Sequence, residues 1–176
     1  LAPATDTEAA MVATLWPGSY TAVVIDDLLA DGIGLVEAFN IDTLTPSRLV
    51  NLSTRGVVGT DDESLIAGII IGNEPRTVVI RTQGPGLARF GVTRPVADTL
   101  LTVVAQEDGR IVANNDNWGT DPRNTRLRAD LAGFAPTDPR EAALVLRLSP
   151  GAYTALVSAK TAAGVGIVEV FEVPEP

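Results

Sequence analysis

Glu141-Ala142-Ala143-Leu144-Val145-Leu146-Arg147-Leu148, followed by Ser149-Pro150-Gly151-Ala152-Tyr153-Thr154-Ala155, decides the fold. Leu144, Leu146 and Leu148 fall on one side of an extended chain, and Val145 and Arg147 on the other. That is the period of a β-strand. Pro150-Gly151 then sets a turn, because proline fixes φ and glycine accepts φ > 0. Near the start of the chain the same words occur. Glu8-Ala9-Ala10 matches Glu141-Ala142-Ala143, and Pro17-Gly18-Ser19-Tyr20-Thr21-Ala22 matches Pro150 to Ala155. Gly32-Ile33-Gly34-Leu35-Val36-Glu37-Ala38-Phe39 matches Gly164-Val165-Gly166-Ile167-Val168-Glu169-Val170-Phe171. The offset is 133 residues up to the loop after the tyrosine strand and 132 beyond it.

Roughly half the aligned positions are identical, and the period is that of a domain rather than of a solenoid unit. The chain therefore holds about one and a third copies. Residues 1–42 are a partial copy with donor-like strands, and residues 43–176 are a complete repeat ending on the same segment. The three short strands expected in the partial copy are too few to stand alone. They must bury their apolar side on something else.

Of the 176 residues, 45% are hydrophobic and only 20% charged, and 16 Gly and 12 Pro punctuate short apolar runs. This is the composition of an all-β protein rich in turns. The expected fold is an antiparallel β-sandwich of jelly-roll type, with about ten strands and at most one short helix near Arg126 to Leu131. Strands are expected at Tyr20–Val24, Gly34–Ile41, 47–53, Ser64–Ile71, Arg76–Thr82, Thr99–Gln106 and Arg110–Ala113. Asp108-Gly109 between the last two is a strong hairpin signal. A polar turn is expected over Gly56–Glu63, another turn at Gln83–Gly86, and a short connector over 42–48.

The net charge of −9 argues against a nucleic-acid footprint and against docking on anionic lipid. The chain has no Cys and no His. This excludes thiol and Ser-His-Asp nucleophiles and nearly all structural zinc sites. No apolar run reaches the length of a membrane span. The chain begins at Leu1, without initiator Met or basic leader. The expectation is a processed mature protein, or a segment of a longer one, whose signal peptide would not be visible.

Ser47-Arg48-Leu49-Val50-Asn51-Leu52-Ser53-Thr54-Arg55-Gly56, Val78-Val79-Ile80-Arg81 with Gly84-Pro85, and Pro150 to Ala155 resemble a tandem β-sandwich module of large secreted bacterial proteins. That resemblance implies export and a non-catalytic accessory or structural role. The stretch Leu101 to Trp118, with Gly109, Ile111-Val112-Ala113 and Asn115-Asp116-Asn117-Trp118, is similar to bacterial pre-peptidase C-terminal domains. Those are β-sandwich modules on secreted enzymes, some of which bind calcium. The acidic cluster that such domains carry ahead of the first strand has no counterpart here.

Candidate sites are few. Asn114, Asn115, Asp116, Asn117 and Asp121 form the one dense oxygen cluster beside a strand end. Calcium takes six to eight such oxygens, so Asn115, Asp116, Asn117 and Asp121 are the candidate metal ligands. The bland reading of the same residues is a turn whose side chains cap the backbone. Asp61-Asp62-Glu63 offers a carboxylate run, read as a solvated turn rather than an acid–base pair. Gly84-Pro85-Gly86 lacks the Lys-Ser/Thr of a phosphate loop and reads as a tight turn. Trp16 aligns with Ser149 and is expected to be exposed, whereas Trp118 is expected as a core plug or lid. Glu37 and Glu169, repeated inside apolar strands, call for an arginine such as Arg81 or Arg48. No cofactor is implied beyond calcium at the oxygen cluster.

These readings lead to a non-catalytic structural subunit of an extracellular or bacterial cell-surface filament or array, assembling head to tail by strand complementation. Leu15, Tyr20, Ala22, Val24, Val36, Phe39, Ile69 and Ile71 are the expected assembly residues. The expected partners are copies of the chain or neighbouring repeats of a longer one. The alternative is a secreted accessory module that grips carbohydrate or a protein surface, with or without calcium.

Overall fold

Two inner strands, both drawn from the repeated segment, tie the sandwich together. In the computed structural model, which describes residues 3, 5, 7–25, 32–42, 48–60 and 63–175, the chain divides into two units, Leu1–Thr45 and Pro46–Pro176. The second unit holds eight strands: β1 (Asn51–Val58), β2 (Leu65–Ile71), β3 (Arg76–Gln83), β4 (Thr99–Ala105), β5 (Ile111–Asn115), β6 (Ala143–Leu148), β7 (Gly151–Ala159) and β8 (Gly164–Glu172). They form two four-stranded sheets, ordered β1-β8-β3-β6 and β2-β7-β4-β5. Every ladder between them is antiparallel. Consecutive strands mostly alternate between the sheets, which is the interleaving of a jelly roll. The repeated segment provides β6 at an edge, β7 between β2 and β4, and β8 between β1 and β3.

The core lies between the sheets, and strand parity sets what enters it. Ala67, Ile69 and Ile71 of β2 point inward, against Leu101 and Val103, Leu144 and Leu146, Val157 and Val168. Ile66 and Ile70 of the same strand are exposed. A second apolar cluster covers the outer side of the first sheet. Leu127 and Leu131, from the long β5–β6 connection, pack there on Val79, Ala143 and Val173, with Trp118, Phe134 and Phe171 around them. Buried Asn124 pins that connection down. Its Nδ2 donates to the carbonyls of Trp118 and Ala143, at 2.9 and 2.8 Å, and its Oδ1 accepts from Val145 N.

Some expectations shift. The first strand of the sandwich runs over Asn51–Val58 instead of 47–53 and passes through Gly56. It does so because every residue from Asn51 to Val58 pairs with β8. Among the described residues four short 3-10 turns form, Pro85–Phe90, Trp118–Thr120, Pro122–Arg128 and Ala132–Phe134, against the expectation of at most one short helix near Arg126 to Leu131. The strands expected within residues 1–42 are not formed among the described residues, all of which are exposed there. A strand needs a neighbour to hold its backbone groups, and the remaining five strands of a sandwich are not part of that unit. The sandwich thus has eight strands rather than about ten. Among the described residues, no helix is long and apolar enough to cross a membrane.

Candidate functional site

The Pro-Gly-x-Tyr turn forms in both copies. Tyr153 Oη donates to the Ser149 carbonyl at 2.9 Å, and Tyr20 Oη donates to the Trp16 carbonyl at 2.9 Å. This contact spans four residues and depends on local sequence alone. What separates the copies is everything non-local. Val157 and Val168 are completely buried, while Val24 and Val36, their repeats, are 67% and 54% exposed. Leu15, Tyr20 and Phe39 are exposed as well, and so is Ala22. Of the expected assembly residues, Ile69 and Ile71 lie in the sandwich core, facing β6–β8, and the outward positions of that strand are Ile66 and Ile70.

Two repeated glycines show how much of a sandwich position residues 1–42 carry. A Cβ on Gly164 would sit 2.6 Å from Val96 N. The Arg94–Val96 segment crosses there, with Val96 N donating to the Val165 carbonyl at 2.9 Å and Val165 N to the Arg94 carbonyl at 2.7 Å. A Cβ on Gly166 would meet Val58 Cγ2 at 2.6 Å. Gly32 and Gly34, the repeats of this pair, have nothing within 4 Å. The first copy keeps the glycines without the crossing chain that demands them.

The repeated carboxylates tell the same story. Glu141, buried to 1% exposure, accepts through Oε1 from Gly84 N and Gly86 N at 2.9 and 3.0 Å. Its Oε2 accepts from Asp138 N at 3.2 Å. It thereby fastens the Gly84-Pro85-Gly86 turn to the start of β6. Glu169 accepts from Arg81 Nε at 2.6 Å and from Gln83 Nε2 at 2.7 Å. Arg81 also donates to the Phe134 carbonyl at 2.9 Å and lies 5.0 Å from the centre of the Phe171 ring. The expected arginine partner of Glu169 is thus Arg81, and Arg48 pairs instead with Glu172 at 3.1 Å. Glu8 and Glu37 repeat these two carboxylates. Residues 1–45 contain Asp6, Glu8, Asp26, Asp27, Asp31, Glu37 and Asp42 and no Lys or Arg. That unit has no cation of its own for Glu37.

Much of the oxygen cluster after β5 is engaged by protein donors, while Asp116 Oδ1 is buried with no hydrogen-bond partner among the described residues. Asn115 Oδ1 accepts from Ala143 N at 3.0 Å, and its Nδ2 donates to the Asn117 carbonyl. Asp116 Oδ2 takes Lys160 Nζ at 2.7 Å. Asp121 accepts from Arg123 through backbone N and guanidinium, at 2.8 Å and 2.5 Å. The hydrogen bond from Arg123 holds the Asp121 carboxyl below its usual range, against the opposing effect of burial. The Asn114 carbonyl accepts from Arg123 Nη2 at 2.9 Å. These residues stitch the β5–β6 connection to its neighbours. Among the described residues there is no group of three or more His, Cys, Asp or Glu able to hold a metal.

Asp61 and Asp62 lie outside the described residues, and Glu63 contributes backbone bonds to Thr60 and Gly59. Trp118 packs against the second apolar cluster, and Trp16 is exposed. Sequence reasoning missed the anchoring role of Glu141. Its one signal was the repetition of Glu8 before an apolar strand. Asn124 and the buried Thr82–Thr99 hydroxyl pair, 2.6 Å apart, left no signal.

No family model matches the chain, and no curated protein matches it. Among solved structures, the pre-peptidase C-terminal domain of a collagenase from Bacillus anthracis is similar, at 10% identity and a TM-score of 0.44, over 69% of this chain and 89% of that one. Fold and site together define an eight-stranded jelly-roll sandwich, and residues 1–42 repeat much of the sequence of its last three strands with their described residues exposed.

Proposed function

We propose that the chain is a non-catalytic structural module of an extracellular or cell-surface array, in which residues 1–42 link one sandwich to the next by strand complementation. One observation carries this reading. Residues 1–42 reproduce the buried valines, the crossing-point glycines and the paired carboxylates of β6–β8, yet their described residues are exposed. Main-chain pairing and apolar burial, at roughly 25 cal/mol per Å², would drive them onto a sheet that lacks those strands. The sandwich formed by Pro46–Pro176 already has its own β6–β8, so simple addition of a further strand is not the geometry. The place that fits is that of β6–β8 on another β1–β5 set, in a neighbouring repeat of a longer chain or in a second copy. An acidic, lysine-free and arginine-free segment suits an acceptor that supplies the arginine.

Analytical ultracentrifugation and negative-stain microscopy of the purified chain, beside a form starting at Pro46, test this. The expected result is concentration-dependent head-to-tail association of the full chain only. Chymotrypsin is the protease to use alongside, since trypsin has no site before Arg48. A monomer whose first 42 residues resist chymotrypsin overturns the array.

A second reading, an accessory module that grips a partner surface, is favoured by one feature. The outer side of the β2-β7-β4-β5 sheet carries Ile66, Ile70, Leu156, Leu100 and Val104 and no charged strand residue. Loss of binding to that partner in Ile66→Asp/Ile70→Asp, with association unchanged, would select it.

A further inference from the structure

The chain contains a β1–β5 set of its own, and the first copy ends a short distance before it in sequence. β8 ends against the start of β1: Phe171 is the register partner of Asn51, and Glu172 N donates to the Val50 carbonyl at 2.9 Å. Phe39, the repeat of Phe171, precedes Asn51 by only twelve positions. Twelve residues span up to about 40 Å when extended, and paired strands need only about 5 Å between Cα atoms. A segment that ends at Phe39 can therefore turn back and lie antiparallel to β1, as β8 does.

We infer that residues 7–42 and 134–173 are rival occupants of one β1–β5 acceptor, so that the chain encodes two versions of the same sandwich, one a circular permutant of the other. This rests on the donor reading above and names the partner of that segment. In the permuted version Glu37 takes the place of Glu169 on Arg81, and Glu8 that of Glu141 on the Gly84 and Gly86 amides. Gly32 and Gly34 admit the Arg94–Val96 crossing and Val58. The structure shows the C-terminal donor seated, and the core explains that preference. Leu146 and Val170 are buried where the first copy has Ala13 and Ala38, so the first copy fills the same space less well. In a longer array, each five-strand set would lie between two donors, and the choice made at one set would fix the register of the next.

The test uses the full chain, carrying Val157→Asp and Val168→Asp to eject the resident donor from the core of both sheets. The expected result is a folded monomer by circular dichroism and sedimentation, melting cooperatively below the parent. Adding Val24→Asp and Val36→Asp abolishes that fold. In the parent background these last two changes leave the melt unmoved. The chain has no cysteine, so Val36→Cys with Thr54→Cys reports the register, because Thr54 faces Val168 in the β1–β8 ladder. An intrachain 36–54 disulfide in the ejected-donor variant is the supporting outcome. Loss of fold in that variant, or a fold that survives the added tail substitutions, overturns the inference. A folded multimer with an interchain disulfide also overturns completion within one chain, but leaves the array standing. Sedimentation of the parent chain judges the array independently.

Discussion

Arg81 and Glu169 face each other across the β3–β8 ladder, and their side chains meet at 2.6 Å while only 16% and 14% exposed. The pair sits under the Phe134–Phe171 contact, whose ring centres are 5.1 Å apart. It joins an inner strand of the fixed part of the sandwich to an inner strand of the repeated part. Removing one member leaves the other with little water to replace it. Arg81→Met should therefore destabilise the sandwich by about 2–4 kcal/mol, read as a lower denaturant midpoint. Glu37→Gln, at the repeated position, should leave that midpoint unchanged. An equal loss in both variants would show that the first copy already shares the arginine.

Gly164 gives a second contrast between the copies. A methyl group there would press on the backbone of Val96, which cannot rotate away as a side chain can. Gly164→Ala should cost about 1–3 kcal/mol through overpacking. Gly32→Ala has open space around it and should fall within about 0.5 kcal/mol of the parent. Thermal melts of the two variants check this directly.

Acid should act on the connections. Asp121, through its hydrogen bond from Arg123, and Asp138, through its hydrogen bond from Arg140, are both held below their ordinary value of 3.8. A carboxyl depressed in the folded state contributes stability that is fully present above its unfolded pKa. That contribution is lost as the pH falls through the lower folded value. With no histidine in the chain, the melting temperature should stay level from about pH 5 to 8 and fall below about pH 4. Asp121→Asn should melt lower at pH 7 and lose less on acidification.

Calcium provides a fourth check. Asn115 Oδ1, Asp116 Oδ2 and Asp121 already accept from Ala143 N, Lys160 and Arg123. Millimolar calcium should leave the melting temperature where it is. Asp116→Ala, which removes an exposed ion pair with Lys160, should cost under about 1 kcal/mol. A calcium-induced rise in melting temperature that vanishes in Asp116→Ala would assign the metal to this cluster.

Strand character, the Asp108-Gly109 hairpin, the tyrosine turn and the duplication were all legible from residues alone. Each rests on contacts between near neighbours or on direct comparison of two stretches. The Tyr20–Trp16 and Tyr153–Ser149 bonds show the point: the same four residues apart, they form whether or not a sheet is present. Tertiary structure alone decided which copy forms paired strands among the described residues. Val168 and Val36 stand in closely similar stretches, each between an aliphatic residue and a glutamate, and one is buried while the other is exposed. A strand becomes stable when another strand holds its backbone and a second sheet covers its side chains, and neither lies within reach of local sequence. The inward parity of Ile69 and Ile71, the partner of Glu169 and the reason for Gly164 follow from that long-range pairing.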